Sequence, residues 1–427
     1  RGSNVYPIRS NHHHHPHSAM LNLRVTVAFG FVFVCHTHVT HARHNFKQPW
    51  DDPTLAVDKR VDLIMSQLTN GEKAAQLNYG GGGETVSEFV DQCVKQGCGG
   101  LSCNHALNCS QTVPAVQQQL REQMRIFIPA MFICETTHSG GVGGTSIFPM
   151  PIALAQTWNT TLMEAIGQQQ GIQARASGCM QALSPVVQVS TDPRWGRLGE
   201  NFGEDPWLVS SFGLAEMRGI QGSQNVGPDS NASTYMEDSK NHPFCQAKHF
   251  AGYGTYSKDS YTAPIEINER ALFEVYLQPW LELARQGLRG VMASHNMVDG
   301  VPMHANKAML TDTLRDRFGM GDGYIGSDMG NVGQLTAYGI AANESDAAKV
   351  YMEAGGDQAM ASMPGNVSDL VAAGNLAQSV LDRATANVIR QKFATGLFDD
   401  IGMPPTSVIN SVEARNLALQ ASVESIV

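Results

Sequence analysis

The stretch "GDGYIGSDMGNV", residues 321–332, places a single carboxylate directly after a short apolar run. Tyr324 and Ile325 form the run, and Asp328 follows it shortly before a glycine. An aspartate at this point is a common turn residue or helix cap. The alternative is a functional carboxylate at the end of a buried strand, and the rest of the chain decides between the two.

Other strand-like runs end in the same way, with polar side chains at their carboxyl ends. They are "FIPAMFIC" (127–134), "MQALSPVVQV" (180–189), "CQAKHFAG" (245–252) and "RGVMASHN" (289–296). Helical stretches lie between them, including 161–178, with Thr161 and Glu164 as a predicted capping box, and 268–287. Strands that alternate with helices in this way predict a (β/α)8 barrel. The alternative is an open doubly wound sheet, but no G-x-G-x-x-G loop opens a helix after the first strand.

In a barrel, side chains at the carboxyl ends of the strands meet at one mouth. The strand ends of this chain suit a polyhydroxylated ligand, which needs many directional donors and acceptors. The candidate residues are Glu135, His138, Asp192, Arg194, Arg197, Glu200, Glu204, Asp205, Lys248, His249, His295 and Asp328. Loop caps and surface ion pairs explain single members of this set, but a sugar-binding pocket explains five strand ends together.

Length, composition and charge exclude several other classes of protein. A chain of 427 residues suits one large α/β domain with extensions, and its net charge of −10 argues against nucleic-acid binding. Neither an H-E-x-x-H motif nor paired C-x2-C motifs are present, so we predict no metal and no cofactor.

The N-terminal segments are predicted to lie outside the folded domain. Residues 1–19 contain "HHHHPH" and no apolar period, so we interpret them as a non-native or untranslated lead; a metal-binding histidine tract is the alternative. Residues 20–42 have the three-part layout of a secretory signal peptide. Because no other stretch could span a bilayer, we predict a secreted protein that does not associate with a membrane.

Glycosylation and cysteine patterns agree with secretion. N-x-S/T sequons predict a glycoprotein and lie at Asn108, Asn159, Asn231, Asn343 and Asn366. Four cysteines cluster in "CVKQGCGGLSCNHALNC" (93–109), where local disulfides are favoured over a metal site. Cys134, Cys179 and Cys245 are scattered along the chain and are interpreted as buried free thiols.

Four segments occur in an order that resembles the N-terminal barrel domain of glycoside hydrolase family 3. They are "DPRWGRLGENFGEDP" (192–206), "AKHFAGYG" (247–254), "INERALFEVYLQPW" (267–280) and the long segment from "GVMASHN" to "GSDMGNV" (290–332). That family contains exo-acting β-glucosidases, β-xylosidases and β-N-acetylglucosaminidases. The resemblance implies a (β/α)8 barrel over 49–395, followed at 396–427 by the start of a linker to a second α/β-sandwich domain that the sequence lacks.

The resemblance also implies a retaining mechanism with Asp328 as the nucleophile. A retaining pair needs a second carboxyl group about 5 Å away, and the family carries this acid/base in the second domain, which is expected beyond Val427. The residues expected to bind the sugar are Glu135, Arg197, Glu200, Lys248, His249, Met292 and His295.

One departure narrows the expected substrate. The N-acetylglucosaminidase branch carries an Asp-Ser-His loop, whereas this chain has Asp259, Ser260 and Tyr261. The sequence therefore predicts hydrolysis of terminal, non-reducing β-D-glucosyl residues from β-linked oligosaccharides or from aryl or alkyl β-glycosides. The alternatives are a β-xylosidase of the same family and a sugar-binding barrel without turnover. The sequence does not predict an oligomeric state.

Overall fold

The computed structural model describes residues 48–80, 85–96, 98–102, 109–255, 264–361, 363–399 and 401–426. The predicted lead, the predicted signal peptide, the 259–261 loop and the sequon at Asn108 lie outside these residues. Among the helices of the described residues, none is both long and apolar enough to cross a membrane.

Eight parallel strands form a nearly closed barrel, which confirms the predicted fold class. The strands are β1 Asn78–Gly80, β2 Gly100–Ser102, β3 Met131–Cys134, β4 Gln181–Ala182, β5 Phe244–Phe250, β6 Gly290–Ala293, β7 Tyr324–Gly326 and β8 Ala359–Met360. Each strand pairs with its sequence neighbour, and β8 pairs with β1. A single bridge between Gly326 and Gln358 links β7 to the start of β8 and completes the ring.

Helices surround this barrel and follow its strands. They are α1 Val57–Met65, α2 Asn70–Ala75, α3 Val86–Gln96, α4 Cys109–Gln123, α5 Pro151–Ala155, α6 Thr160–Ala176, α7 Pro206–Gln221, α8 Glu269–Ala271, α9 Gln278–Arg285, α10 Asn331–Ala337, α11 Glu344–Ala354, α12 Val367–Ala372, α13 Gln378–Ala394 and α14 Val412–Glu424. Two π-helical segments, Leu272–Tyr276 and Ala308–Arg317, add to them. Short 3-10 turns lie at Pro49–Asp51, Leu198–Glu200, Ser223–Asn225, Met303–Ala305 and Thr406–Val408. A small separate sheet joins Pro264–Ile265, Met297–Val298 and Val301–Pro302.

Helix starts test the capping predictions. Thr69 and Glu72 form the predicted capping box at the start of α2. The capping box predicted at Thr161 is wrong, because Asn159 caps α6 and its side chain accepts the amide of Leu162. Asparagine is a stronger cap than threonine, and it lies two residues earlier. The single helix predicted over 268–287 is divided by the π-helical segment, although Asn268 caps its start.

The main core lies between the barrel and its outer helices. Helices α6 and α7 make the closest pair, and glycines allow their backbones to touch. A Cβ atom at Gly219 would lie only 2.3 Å from the carbonyl oxygen of Glu164, so a larger residue could not occupy this crossing without a shift of the helices.

Two disulfides lie within the described residues. Cys93 and Cys98 are bonded, as the local cluster predicted. Cys134 and Cys179 also form a disulfide, so the prediction that they are free thiols is wrong. Cys134 ends β3 and Cys179 precedes the neighbouring β4, which places their Cα atoms 5.9 Å apart. Cys245 is a buried free thiol, as predicted.

The segment that follows the barrel returns along α6. The amide of Asn410 donates to Gln173 Oε1 over 2.9 Å, and Asn159 Nδ2 donates to Glu424 Oε2 over 3.2 Å. Helix α14 buries Ala414 and Ala421 against the barrel helices, while Leu419 and Val423 remain 65% and 63% exposed. The exposed side of α14 therefore carries these apolar residues among polar ones.

Candidate active site

Asp328 lies two residues beyond the end of β7 and is 7% exposed. Its backbone amide donates to His304 Nε2 over 3.3 Å, and the amide of Met329 donates to its Oδ1 over 2.7 Å. The Ser327 hydroxyl donates to its carbonyl oxygen. The carboxylate is thus held by its own loop at the carboxyl end of the barrel, where barrel enzymes carry their reactive groups.

Two imidazoles approach the second carboxylate oxygen. His295 Nε2 lies 2.7 Å from Asp328 Oδ2, and His249 Nε2 lies 3.6 Å from the same oxygen. Burial alone would raise the pKa of Asp328, but the hydrogen bond from His295, the electrostatic effect of the two imidazoles and the amide of Met329 together outweigh burial and hold that pKa well below its ordinary value. Asp328 is therefore ionised at any working pH, as a nucleophile must be.

His249 is a neutral link between Asp328 and an arginine. Burial holds the pKa of His249 well below its ordinary value, and the attraction of Asp328 does not overcome burial. The backbone amide of His249 donates to Gln188 Oε1 over 2.9 Å, and Nδ1 lies 3.3 Å from the same oxygen. Nδ1 therefore carries the proton, which leaves Nε2 to accept from Arg197 Nη2 at 3.3 Å.

Arg197 and Glu200 form a bidentate ion pair beside His249. Arg197 Nε and Nη2 donate to the two carboxylate oxygens of Glu200 over 2.8 and 2.7 Å. The guanidinium also lies over the ring of Tyr253, 5.6 Å from its centroid. Burial opposes the charge of Arg197, but the pairing with Glu200 is stronger and raises the pKa of the guanidinium. This pair presents fixed donors and acceptors next to His249.

Lys248 and Glu135 form a second ion pair at the ends of β5 and β3. The register of β5 shifts between Ala247 and Phe250. Such a bulge changes the direction in which the side chains at the end of the strand point. Burial would raise the pKa of Glu135, but Lys248 and the hydrogen bonds from Thr137 lower it. The Lys248 side chain is 4% exposed and that of Glu135 is 53% exposed. Glu135 is thus the member of the pair that a ligand reaches.

Met292 occupies a different place from the other candidate residues. It is 2% exposed and packs inside the barrel with Tyr79, Ile133 and Leu183. Met292 is the residue before Ala293, which ends β6. The four side chains form an apolar layer inside the barrel at this level. The role of Met292 in binding remains a prediction.

The remaining polar residues at the strand ends have local roles in the structure. Asp192 pairs with Arg194, whose side chain is 78% exposed. Asp205 caps α7 by accepting the amide of Leu208, and Glu204 is exposed. The backbone carbonyl of His138 accepts the amide of Phe148. The simple interpretation, loop caps and surface ion pairs, is therefore correct for Asp192, Arg194 and Asp205.

Two residues that the sequence analysis did not single out contact the candidate site directly. Gln188 fixes the tautomer of His249, and His304 accepts the amide of Asp328. Gln188 lies within the run predicted to be β4, so its position was available from sequence, although nothing marked its role. His304 follows a short hairpin far from any predicted strand end. Among the described residues, no group of three or more His, Cys, Asp or Glu is arranged to hold a metal ion.

Comparison with known proteins gives a consistent match. The model of the glycosyl hydrolase family 3 N-terminal domain matches residues 70–391. A putative beta-xylosidase of Formosa agariphila is 30% identical over 404 residues, covering 88% of this chain and 51% of that protein. A periplasmic beta-glucosidase of Salmonella typhimurium is 30% identical over 352 residues, covering 81% of this chain and 43% of that protein.

A solved structure leads to the same match. The beta-glucosidase of Listeria innocua in complex with glucose is 28% identical, with a TM-score of 0.77, and the alignment covers 87% of this chain and 52% of that one. The chain therefore spans about half the length of the relatives that it matches.

Proposed function

The chain belongs to glycosyl hydrolase family 3, and from this membership and its site we propose that it acts as a retaining exo-β-glycosidase. Asp328 is the nucleophile, and the substrates are terminal, non-reducing β-D-glucosyl residues. The observation that carries the proposal is the geometry around Asp328: an ionised, buried carboxylate contacts His295 and lies beside His249, which in turn contacts Arg197. Support also comes from relatives described as beta-glucosidases.

Each group of site residues has its own role in the proposed retaining mechanism. The Asp328 carboxylate attacks the anomeric carbon, the C–O bond to the leaving group breaks, and a glycosyl ester forms that water later hydrolyses. The donor at His295 stabilises the carboxylate oxygen that it contacts. The pairs Arg197–Glu200 and Lys248–Glu135 bind ring hydroxyls, because each offers charged donors and acceptors in fixed positions.

The general acid is expected from outside the described residues. Glu135 and Glu200 are both ion-paired with cations, and Lys248 lowers the pKa of Glu135. A carboxyl group held ionised is a poor proton donor to a leaving group. We therefore propose that a second domain supplies the acid/base, and that the exposed apolar residues Leu419 and Val423 of α14 contact it.

Export is part of the proposal. The two disulfides suit an oxidising compartment, and a periplasmic relative agrees with export. Four predicted glycosylation sites fall on described residues, and Asn159, Asn343 and Asn366 cap α6, α11 and α12 there. Glycosylation of these residues remains a prediction.

The test uses a substrate that needs no general acid. A 2,4-dinitrophenyl 2-deoxy-2-fluoro-β-D-glucoside loses its leaving group unprotonated and traps the glycosyl ester. We expect one added fluoroglucosyl mass on the protein, located at Asp328 by peptide mapping, and none on Asp328→Asn. Asp322→Asn is the matched control, because Asp322 lies in the same segment but its side chain is 60% exposed and faces Arg390. Labelling at another residue would refute the nucleophile.

The β-xylosidase alternative is supported by the relative from Formosa agariphila. The corresponding 2-fluoroxyloside, used at the same concentration, decides between the two sugars by the ratio of trapping rates. Reversible binding of glucose without trapping by either reagent would instead favour a sugar-binding barrel without turnover.

A further inference from the structure

The loop that carries Asp328 has an acceptor for every one of its backbone amides. Four of them use acceptors within the β7 loop or at β8: Ser327 donates to Gln358 O, Met329 to Asp328 Oδ1, Gly330 to Met360 O and Asn331 to Asp328 O. The fifth, the amide of Asp328 itself, donates to the side chain of His304. The imidazole of His304, from a distant segment of the chain, therefore supplies the acceptor for the amide of Asp328 itself.

His304 is held firmly in place. It lies in the 3-10 turn Met303–Ala305 and is 2% exposed. Its ring lies 5.6 Å from the ring of Tyr351 on α11. The Tyr351 hydroxyl lies within hydrogen-bond distance of the carbonyls of Ile325 and Gln358, so it binds both strands that flank the Asp328 loop. A continuous set of contacts thus runs from α11 through His304 to the Asp328 backbone.

The protonation state of His304 suits an acceptor. Burial lowers the pKa of His304 to about 3, and the charge of Asp328 offsets burial only in part. The ring is therefore neutral at any working pH. Because Nε2 accepts the amide of Asp328, the proton resides on Nδ1. The acceptor does not disappear when the pH changes within the range in which an exported protein works.

We propose that His304 is a positioning residue for the nucleophile, and that its bond to the Asp328 amide sets the direction in which the carboxylate points. The inference rests on the proposed function. Met329 fixes Oδ1 and His295 contacts Oδ2, so His304 adds a third fixed point, at the backbone from which the carboxylate side chain extends. Attack on an anomeric carbon depends steeply on such alignment, and a displacement of about 1 Å costs about 100-fold in rate.

A purely structural role predicts a different result. A buried amide needs an acceptor wherever it lies, so loss of His304 would lower stability in either case. Only a positioning role lowers the rate of attack per folded molecule while leaving the affinity for the sugar unchanged. The two roles therefore separate in the trapping kinetics, where a maximal rate constant and a half-saturating concentration are measured independently.

The experiment uses the full chain and the same 2-fluoroglucoside. In trapping, the bond from Asp328 to the anomeric carbon forms as the bond to the aryl oxygen breaks, and dinitrophenolate leaves with the electron pair. His304→Phe keeps a ring against Tyr351 but removes the acceptor. We expect its maximal trapping rate constant to fall about 10- to 100-fold, as loss of a buried hydrogen bond implies, with half-saturation within about threefold of the wild type.

Rescue by a matched acceptor completes the test. The amide oxygen of His304→Gln reaches as far as Nε2 and should retain the rate to within about fivefold, whereas His304→Asn is too short and should resemble His304→Phe. These two variants also stand in if His304→Phe does not fold. His242→Gln is the control, since His242 is equally buried but precedes β5 at the opposite end of the barrel.

Each outcome decides the inference. Trapping rates of His304→Phe and His304→Asn equal to the wild type, normalised to folded protein, would overturn it, as would a change in half-saturation alone. Failure of the wild type to label at Asp328 would reject the proposed function, which is a separate result.

Discussion

The imidazole of His295 and the carboxylate of Asp328 face each other across neighbouring strand ends, with 2.7 Å between Nε2 and Oδ2. His295 follows β6 and Asp328 follows β7, and these two strands pair in register at Met292 and Gly326. His295 lies three residues beyond Met292 and Asp328 lies two residues beyond Gly326, so the pairing of the two strands brings the loops that carry these side chains close together.

Replacing His295 should weaken the nucleophile in a pH-dependent way. The contact with His295 lowers the pKa of Asp328, so His295→Phe should raise that pKa and move the acid limb of the trapping profile to higher pH. We also expect the trapping rate at neutral pH to fall about 10-fold or more, as for loss of a charge-assisted hydrogen bond. His138→Phe, which alters another strand-end imidazole, should leave the profile unchanged. A profile for His295→Phe identical to the wild type would contradict the prediction.

Glu135 should contribute to both binding and stability. Glu135→Gln leaves the buried ammonium of Lys248 without its carboxylate partner; because Glu135 is half exposed, the cost should be less than the roughly 3 kcal/mol of a fully buried pair. We therefore expect a lower midpoint of thermal unfolding and a half-saturating concentration of the 2-fluoroglucoside raised about 10-fold or more. Glu204→Gln, at an exposed position, is the control. Unchanged affinity would remove Glu135 from the sugar-binding set.

A buried carboxyl group on α7 should limit stability at high pH. Glu216 is 1% exposed, neither of its oxygens has a hydrogen-bond partner among the described residues, and burial raises its pKa to about 8. Its folded pKa exceeds its unfolded value of 4.5, so its stabilising contribution is complete below about pH 4.5 and is lost as the pH rises through about 8.

The substitution Glu216→Gln removes this titration. We expect it to have little effect near pH 4.5 and to stabilise the protein by about 2 kcal/mol at pH 8.5, measured by urea unfolding. An equal change in stability at both pH values would show that the effect is steric and not ionic.

A buried lysine on α13 has the opposite pH dependence. Lys392 Nζ donates to Gln76 Oε1 over 2.7 Å, and burial lowers its pKa to about 7. Its folded pKa lies below its unfolded value of 10.5, so its contribution to stability is complete above about pH 10.5 and is lost as the pH falls through about 7. Lys392→Met should stabilise the fold at pH 6 by about 1 kcal/mol, with the gain vanishing towards pH 10. Lys59→Met, at an exposed position on α1, should change little at any pH.

The strands that could be predicted from the sequence are those that lie in extended apolar runs. Strands β3, β4, β6 and β7 fall within the predicted runs and β5 overlaps its run, because the buried residues of each strand are consecutive. Strands β1, β2 and β8 span only two or three residues each, so no local pattern separates them from turns. These short strands are stabilised by the strands with which they pair, and the residue pattern of one segment contains no information about a strand elsewhere in the chain.

The candidate site likewise contains residues that a local sequence pattern predicts and residues whose contacts depend on distant parts of the chain. The side chains of His249, His295 and Asp328 meet as the strand ends predicted, and Arg197 joins them through His249. His304 and Gln188 act through single hydrogen bonds whose partners are distant in sequence. His304 lies at no predicted strand end, and Gln188 lies near one without any feature that marks its role, so only the tertiary structure shows what the two residues contact.

The bridge between Gly326 and Gln358 has a consequence for the order in which the protein acquires its site during synthesis. The strand that leads to Asp328 is paired with β6 on one side. Its other edge, and two amides of the loop that follows it, have their hydrogen-bond partners in residues 358–360. A nascent chain that has emerged only as far as α11 therefore carries an open sheet edge and an incompletely bonded catalytic loop. The ribosome must extend the chain past Met360 before the Asp328 carboxylate has its final surroundings, so this carboxylate is among the last parts of the barrel to mature.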